Sequence, residues 1–283
     1  QTNSMIALKP SLTYLWNDVT FHVGISPTMG KEFHLLPDIT AQYPLTRINS
    51  VVSAGWQSNL KLNTFKELTT TNPFIFNYNK VTQTKNHEWF VALKGNARQN
   101  FSFSCKTGLA LIQNLPLFIN DTAGDFKQFN VVYDKQATSF IFDVAMDYEV
   151  NKNLFTGARL NLKPILSLST QQEAWHYVPA QMDIFGKIKI TPNVLLRTDI
   201  FLRAGSKVIE KNPVVQTPYT KSLYTGMDMN ISGQFILRQD WDLTIDVNNL
   251  FNSRYQRWYG YQNYGTNVQV GLMYSFNKLK FTK

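Results

Sequence analysis

"DVNNLFNSRYQRWYGYQNYGTNVQVGLMYSF", residues 246–276, carries the pattern on which the fold turns. From Val268 onward every second residue is apolar or aromatic: Val268, Val270, Leu272, Tyr274 and Phe276. Between them stand Asn267, Gln269, Gly271, Met273 and Ser275. A side-chain period of two is the signature of an extended strand with one apolar face. Both a soluble sandwich and a membrane barrel have such strands, so the rest of the chain must show which medium the apolar face meets.

The same phrase recurs upstream. Met182, Ile184, Ile188 and Ile190 alternate with Gln181, Asp183, Phe185, Lys187 and Lys189. After "TPN" (191–193), Val194, Leu196, Ile200 and Leu202 alternate with Leu195, Arg197, Asp199, Phe201 and Arg203. Met227, Met229 and Ile231 oppose Asp228, Asn230 and Ser232, and Trp241, Leu243, Ile245 and Val247 oppose Asp242, Thr244, Asp246 and Asn248. Phe140–Tyr148, Leu154–Leu162, Trp89–Leu93 and Phe101–Leu109 read the same way. Segments of roughly 9 to 11 residues are long enough to cross a bilayer as tilted strands. Their polar faces hold Gly, Ser, Asn and Thr with Asp, Lys and Arg mixed in, the composition of a crowded polar lumen.

Composition agrees. Charged residues are 17% of the 283 and aromatics 14%, against about 25% charged in ordinary soluble domains. Mean hydropathy is −0.23, and no run approaches the roughly 18 apolar residues of a spanning helix. A chain of this kind enters a membrane as a barrel. The single cysteine, Cys105, allows no intrachain disulfide and no thiolate metal cluster. The net charge of +9 is scattered and not drawn into a stripe, which argues against nucleic acid and for anionic lipid headgroups at a barrel rim.

Connection lengths add sidedness. Tight turns are expected at 15–20, 44–50, 98–100, 150–153, 191–193 and 238–240, with long connections such as 65–86, 114–125, 169–176 and 205–222 between them. Outer-membrane barrels have short turns on the periplasmic side and long loops outside. Trp16, Tyr148, Trp175, Tyr177, Trp241, Trp258 and Tyr259 fall near expected strand ends, where an interfacial girdle belongs.

The closing residues resemble the last hairpin of TonB-dependent outer-membrane receptors. The "NNLFNSRY" phrase (248–255) places Asn249, Leu250, Phe251, Asn252 and Tyr255 as that family does, ahead of a Gly-containing loop and a final strand with a terminal aromatic. "QVGLMYSF" also fits the barrel-assembly signal through Gln269, Gly271, Tyr274 and Phe276. The resemblance covers about the last 40 residues and implies an all-β, antiparallel transmembrane barrel of about 12–14 strands within a larger barrel. It implies a Gram-negative outer-membrane location, and as partners outer-membrane lipids, the barrel-assembly machinery and surface lipoproteins or other outer-membrane subunits. No stretch resembles the family's plug, so what is implied is a pore or part of a receptor for solute uptake. The alternative is a non-transporting barrel that scaffolds surface lipoproteins or an assembly complex.

Residues 1–276 are read as one barrel domain, continued upstream by at least one further strand, with 277–283 as a tail. Residues 5–16 are expected to descend from the outside, and counting strands from the turns gives about 13. The four histidines are far apart and no nucleophile or phosphate-loop motif occurs, so no catalytic residue, metal site or cofactor is assigned. The candidate functional set is the lumen-facing cations Lys94, Lys106, Arg159, Lys187, Lys189, Arg197 and Arg203. Pairing with Asp143, Asp147, Asp183, Asp199 and Asp228 is the expected fate of most; any left unpaired would favour anionic solutes.

Overall fold

The computed structural model describes residues 5–30, 32–77, 81–122, 125–211, 217–238 and 240–276. Among them the chain lays down, in sequence order, thirteen antiparallel wall strands belonging to one large sheet. These are β1 (Ile6–Ala7 and Ser11–Trp16), β2 (Val19–Met29), β3 (Phe33–Leu45), β4 (Ser50–Lys61), β5 (Thr84–Arg98), β6 (Phe101–Asn120) and β7 (Phe129–Asn151). Then follow β8 (Leu154–Leu162, continued by Ile165–Leu168), β9 (Ala180–Thr191), β10 (Val194–Ala204), β11 (Gly226–Arg238), β12 (Trp241–Asn248) and β13 (Asn267–Tyr274). Each pairs with its sequence neighbours, and β1 and β13 do not meet, so the sheet is open. The breaks in β1 and β8 fall at Pro10 and Pro164, where the ring removes a ladder donor.

All six expected tight turns are present at one end of the sheet, and local chemistry makes them. Asn17 and Asp18 both take positive φ, 45° and 67°, as a two-residue hairpin with the twist of its strands requires. Asn49, at φ 47°, ends the 3-10 turn Thr46–Ile48. The Asn151 side chain accepts from the backbone N–H groups of Asn153 and Leu154, and Thr191 Oγ1 accepts from Asn193.

At the other end the long-connection rule has one exception. β2 and β3 are joined through 30–32 alone, with Met29 directly opposite Phe33. The expected connection 114–125 is also shorter than the sequence suggests, because β6 runs on to Asn120. With 20 and 23 residues, β6 and β7 far exceed the roughly 10 that span a bilayer. Their outer halves remain paired, Leu115 with Asp134 and Asn120 with Phe129, and project beyond the membrane.

The two faces separate as the alternation predicts. Met182, Ile184, Ile188, Ile190, Val268, Val270 and Leu272 are all exposed on one surface, an apolar band that only lipid would cover. Trp16, Tyr148 and Trp241 join it at the tight-turn end. Trp175 and Trp258 do not: only 4% and 5% exposed, they lie in loops folded inward and are core residues, as is half-buried Tyr177 packed beside Trp175. Half-buried Tyr259 is likewise not a girdle residue, since its hydroxyl bonds to a carboxylate between two outer loops.

The assignment of faces predicts an asymmetry. Ile184→Arg, mid-strand on the apolar band, should destabilise the folded protein in bilayers by about 2–4 kcal/mol. Ser232→Arg, on the other face directly opposite Asp246, should be much milder. Equal costs measured by denaturant refolding into vesicles would show the faces to be wrongly assigned.

Candidate functional site

The lumen face is a grid of charged and aromatic side chains set by register. One row across the wall reads Ala145, Arg159, Asp183, Phe201, Asp228; the next toward the turns reads Asp147, Gly157, Phe185, Asp199, Asn230, and the one after it places Lys187 opposite Arg197. Ion pairs run diagonally across this grid. Arg159 Nη2 donates to both carboxylate oxygens of Asp147 at 2.7 and 2.9 Å while its guanidinium lies 4.9 Å from the Phe185 ring. Arg203 Nη2 donates to Asp183 at 2.6 Å and lies over Phe201. Lys106 pairs with Glu88, a partner the sequence reading omitted, and lies over Phe90. These groups are partly exposed, so each pair is worth at most about 1 kcal/mol; they hold the long side chains against the wall.

The remaining candidates, Lys94, Lys187, Lys189 and Arg197, form no ion pair among the described residues. Lys187 and Lys189 line a cavity of about 390 Å³ beside the tight turns at 151–154 and 191–194, with Glu149 at its edge. Lys94 sits at the same end, opposite Val51 and Ser104. The structure therefore divides the seven cations: Lys106, Arg159 and Arg203 are paired, and the other four leave positive charge toward the turn end of the lumen.

The sequence reading missed a second assembly, at the long-loop end. The outer halves of β6 and β7 receive four connections: helix α1 (Phe65–Thr71) with Ile75–Asn77, the segment around Trp175, the hairpin Lys207–Lys211 with Pro218–Ser222, and the hairpin Gln256–Trp258 with Tyr261–Gln262. α1 starts on a capping box, Thr64 with Glu67, and buries Leu68. Phe118, Phe129 and Trp258 form one core with Leu68; Leu115, Leu117, Ala137 and Trp175 form another. Asn120 accepts from the Ile209 N–H and donates to its carbonyl, docking one hairpin. Glu210 accepts from Lys221 and from Tyr259 at 2.8 Å, tying that hairpin to the last loop.

His176 lies at the centre, 1% exposed. Its Nδ1 is 2.7 Å from the Phe118 carbonyl and its Nε2 receives the Tyr259 N–H, so the ring is neutral with the proton on Nδ1. Burial, with the Arg257 charge in support, depresses its pKa to about 3, against the opposing Phe118 hydrogen bond. Nearby, fully buried Asp134 accepts from the backbone N–H groups of Ser169, Thr170 and Gln171. Burial pushes that carboxyl up, but these bonds and the Thr170 hydroxyl outweigh it and hold it at about 2.

Thirteen strands in meander order, tight turns at one end and ordered loops at the other form the wall of an outer-membrane barrel. No family model and no curated protein sequence matches the chain. Solved structures do. The pyoverdine receptor FpvA of Pseudomonas aeruginosa superposes over 96% of this chain with a TM-score of 0.69 at 11% identity. The fold is that of TonB-dependent outer-membrane receptor barrels. The FrpB iron transporter of Neisseria meningitidis (TM-score 0.66, 12% identity, 95% of this chain) and the copper transporter OprC (0.63, 12%, 96%) share it. The chain spans less than half of each: 42% of FpvA, 45% of FrpB and 47% of OprC. Such barrels belong to the outer membrane of Gram-negative bacteria, and these neighbours are receptors and transporters.

The residues of the expected assembly signal lie on and just beyond the last strand of this wall. Tyr274 lies opposite Trp241, with rings 4.8 Å apart, and edge-on to Phe276 at 4.7 Å. Gly271 lies beneath Thr244, whose hydroxyl donates to the Gly271 carbonyl at 3.3 Å and would have to turn away from an added Cβ, and Gln269 faces Asp246. The tail 277–283 lies outside the described residues.

Two outcomes follow. Phe276→Ala should reduce the amount of protein inserted in the outer membrane several-fold at unchanged synthesis, measured by fractionation and immunoblot; normal membrane levels would make the signal incidental. The His176 contribution to the outer cap is complete above the ordinary imidazole value of 6.5 and is lost as pH falls toward about 3. Lowering pH from 7 to 4 should therefore expose the buried tryptophans to quencher. His176→Gln should be weaker at pH 7 and nearly flat across that range, while Asp134 adds nothing to the change until pH drops below its ordinary 3.8.

Proposed function

We propose that the chain forms the wall and outer vestibule of an outer-membrane receptor barrel that binds a solute at the outer face and passes it inward. The supporting observation is the ordered cap: loops from four connections close over lumen-facing wall residues, leaving cavities lined by both. Gln181, Phe201 and Arg203 of the wall, for example, share a cavity of about 390 Å³ with Tyr255 and Arg257 of the last loop. Pockets enclosed between a rigid scaffold and its loops are where ligands bind.

Unpaired backbone groups cannot persist in lipid, so the free edges of β1 and β13 are read as pairing with further strands of a larger barrel. Lipid covers the apolar band, and the assembly machinery receives β13. The unpaired Lys94, Lys187, Lys189 and Arg197 then bias the lower lumen toward anions.

Conductance tests the reading. Barrels extracted from outer membranes and placed in planar bilayers should pass anions in preference to cations, and Arg197→Glu with Lys187→Glu should reduce that preference at least about two-fold. Arg159→Gln together with Asp147→Asn should leave selectivity nearly unchanged, because the two charges match each other and are removed as a pair. Cation selectivity would overturn the assignment.

A further inference from the structure

Arg257 occupies a position that no carboxylate among the described residues completes. It stands in the last loop, is largely buried, and lies where two cavities adjoin, of about 390 and 290 Å³. Val178 and Gln181 line both cavities with it. Among the described residues one of its five donors is used, Nη1 to the His176 carbonyl at 2.8 Å. Its guanidinium lies 4.2 Å from the Trp258 ring, which fixes its plane. Among the described residues no carboxylate pairs with it. Arg159 and Arg203 on the same lumen face have both found an aspartate.

A buried cation without a counter-charge is costly, and here burial alone pulls the guanidinium down to about 10. The surrounding charges cancel one another. Lys163 and Arg203 at the cavities are paired with Asp143 and Asp183, and Lys61 shares the smaller cavity with Glu67, which accepts from the Thr64 backbone N–H in its capping box, so Arg257 is the charge left over among the described lining residues. Lumen-face wall residues line the cavities, Gln181 in both and Asn161 in the smaller, so the wall stands between them and the lipid. What fits is an anionic oxygen group on a water-borne solute, which a guanidinium fork grips with two parallel hydrogen bonds.

We propose that Arg257 anchors an oxyanion-binding site in the outer vestibule, selecting solutes that carry a carboxylate or phosphate group. The proposal rests on the vestibule reading above and gives its solute a chemical class. His176 is a positioning residue: through its carbonyl it holds the guanidinium, and through its ring it ties Phe118 to Tyr259.

The test is calorimetric titration of citrate, and separately of inorganic phosphate, into the detergent-solubilised protein at pH 7. At least one probe should bind, and Arg257→Gln should weaken it at least about ten-fold. Arg257→Lys should recover part of the loss. Gln181→Glu keeps Arg257 but supplies a carboxylate from the wall, and should abolish probe binding while raising thermal stability; it decides the matter if Arg257→Gln disturbs the loop. Arg254→Gln, outside both cavities, should bind as the parent does. Absence of binding by both probes, or equal affinity in the parent and the Gln181→Glu protein, would overturn the site. Anion binding in a barrel that conducts nothing would leave the site standing and sink the uptake reading. Conductance without anion binding would do the reverse.

Discussion

The lateral backbone hydrogen bond is the constraint on which this structure depends. In hydrocarbon an unpaired N–H or C=O has no water to turn to, so each strand must be matched along its whole crossing by its neighbours. That requirement forces sequential antiparallel pairing, and pairing forces the side chains into strict alternation between lipid and lumen. The prolines show the rule at its limits. Pro10 and Pro164 interrupt β1 and β8, and the ladder resumes by borrowing their carbonyls, which accept from Ile25 and Phe140.

Alternation is a local property, which is why so much of the wall was legible. Ile184 and Asp183 declare their faces through their neighbours in sequence, and Asn17-Asp18, Asn151 and Thr191 make their turns from their own side chains. Strand number and turn positions followed from the same signals. The ion pairs were half legible: Asp147 and Asp183, partners of Arg159 and Arg203, stand among the expected aspartates, but the pairs run diagonally. Lys106 meets Glu88 and not directly opposite Asp143, a choice made by register and side-chain reach.

The outer cap was not legible. Trp175 and Trp258 sit near strand ends and read as girdle residues, because nothing nearby in sequence shows that their loops turn inward. His176 and Arg257 carry no motif; their meaning comes from partners far along the chain. One signal was available in retrospect. Phe101–Asn120 and Phe129–Asn151 are too long and too continuously strand-like to stop at the membrane surface, and a ladder that continues into water needs something packed against it.

That contrast in sequence distance also sets an order of events during folding. The wall joins hairpin neighbours, whereas the His176–Arg257 hydrogen bond spans 81 residues and Asn120–Ile209 spans 89. Long closures lose more chain entropy and are rewarded only once their anchors are fixed. The wall therefore zips first and the cap condenses last, on a platform already held by the outer ladder of β6 and β7. A damaged cap residue would then leave an inserted but uncapped wall, so maturation of the outer vestibule is separable in time from entry into the membrane.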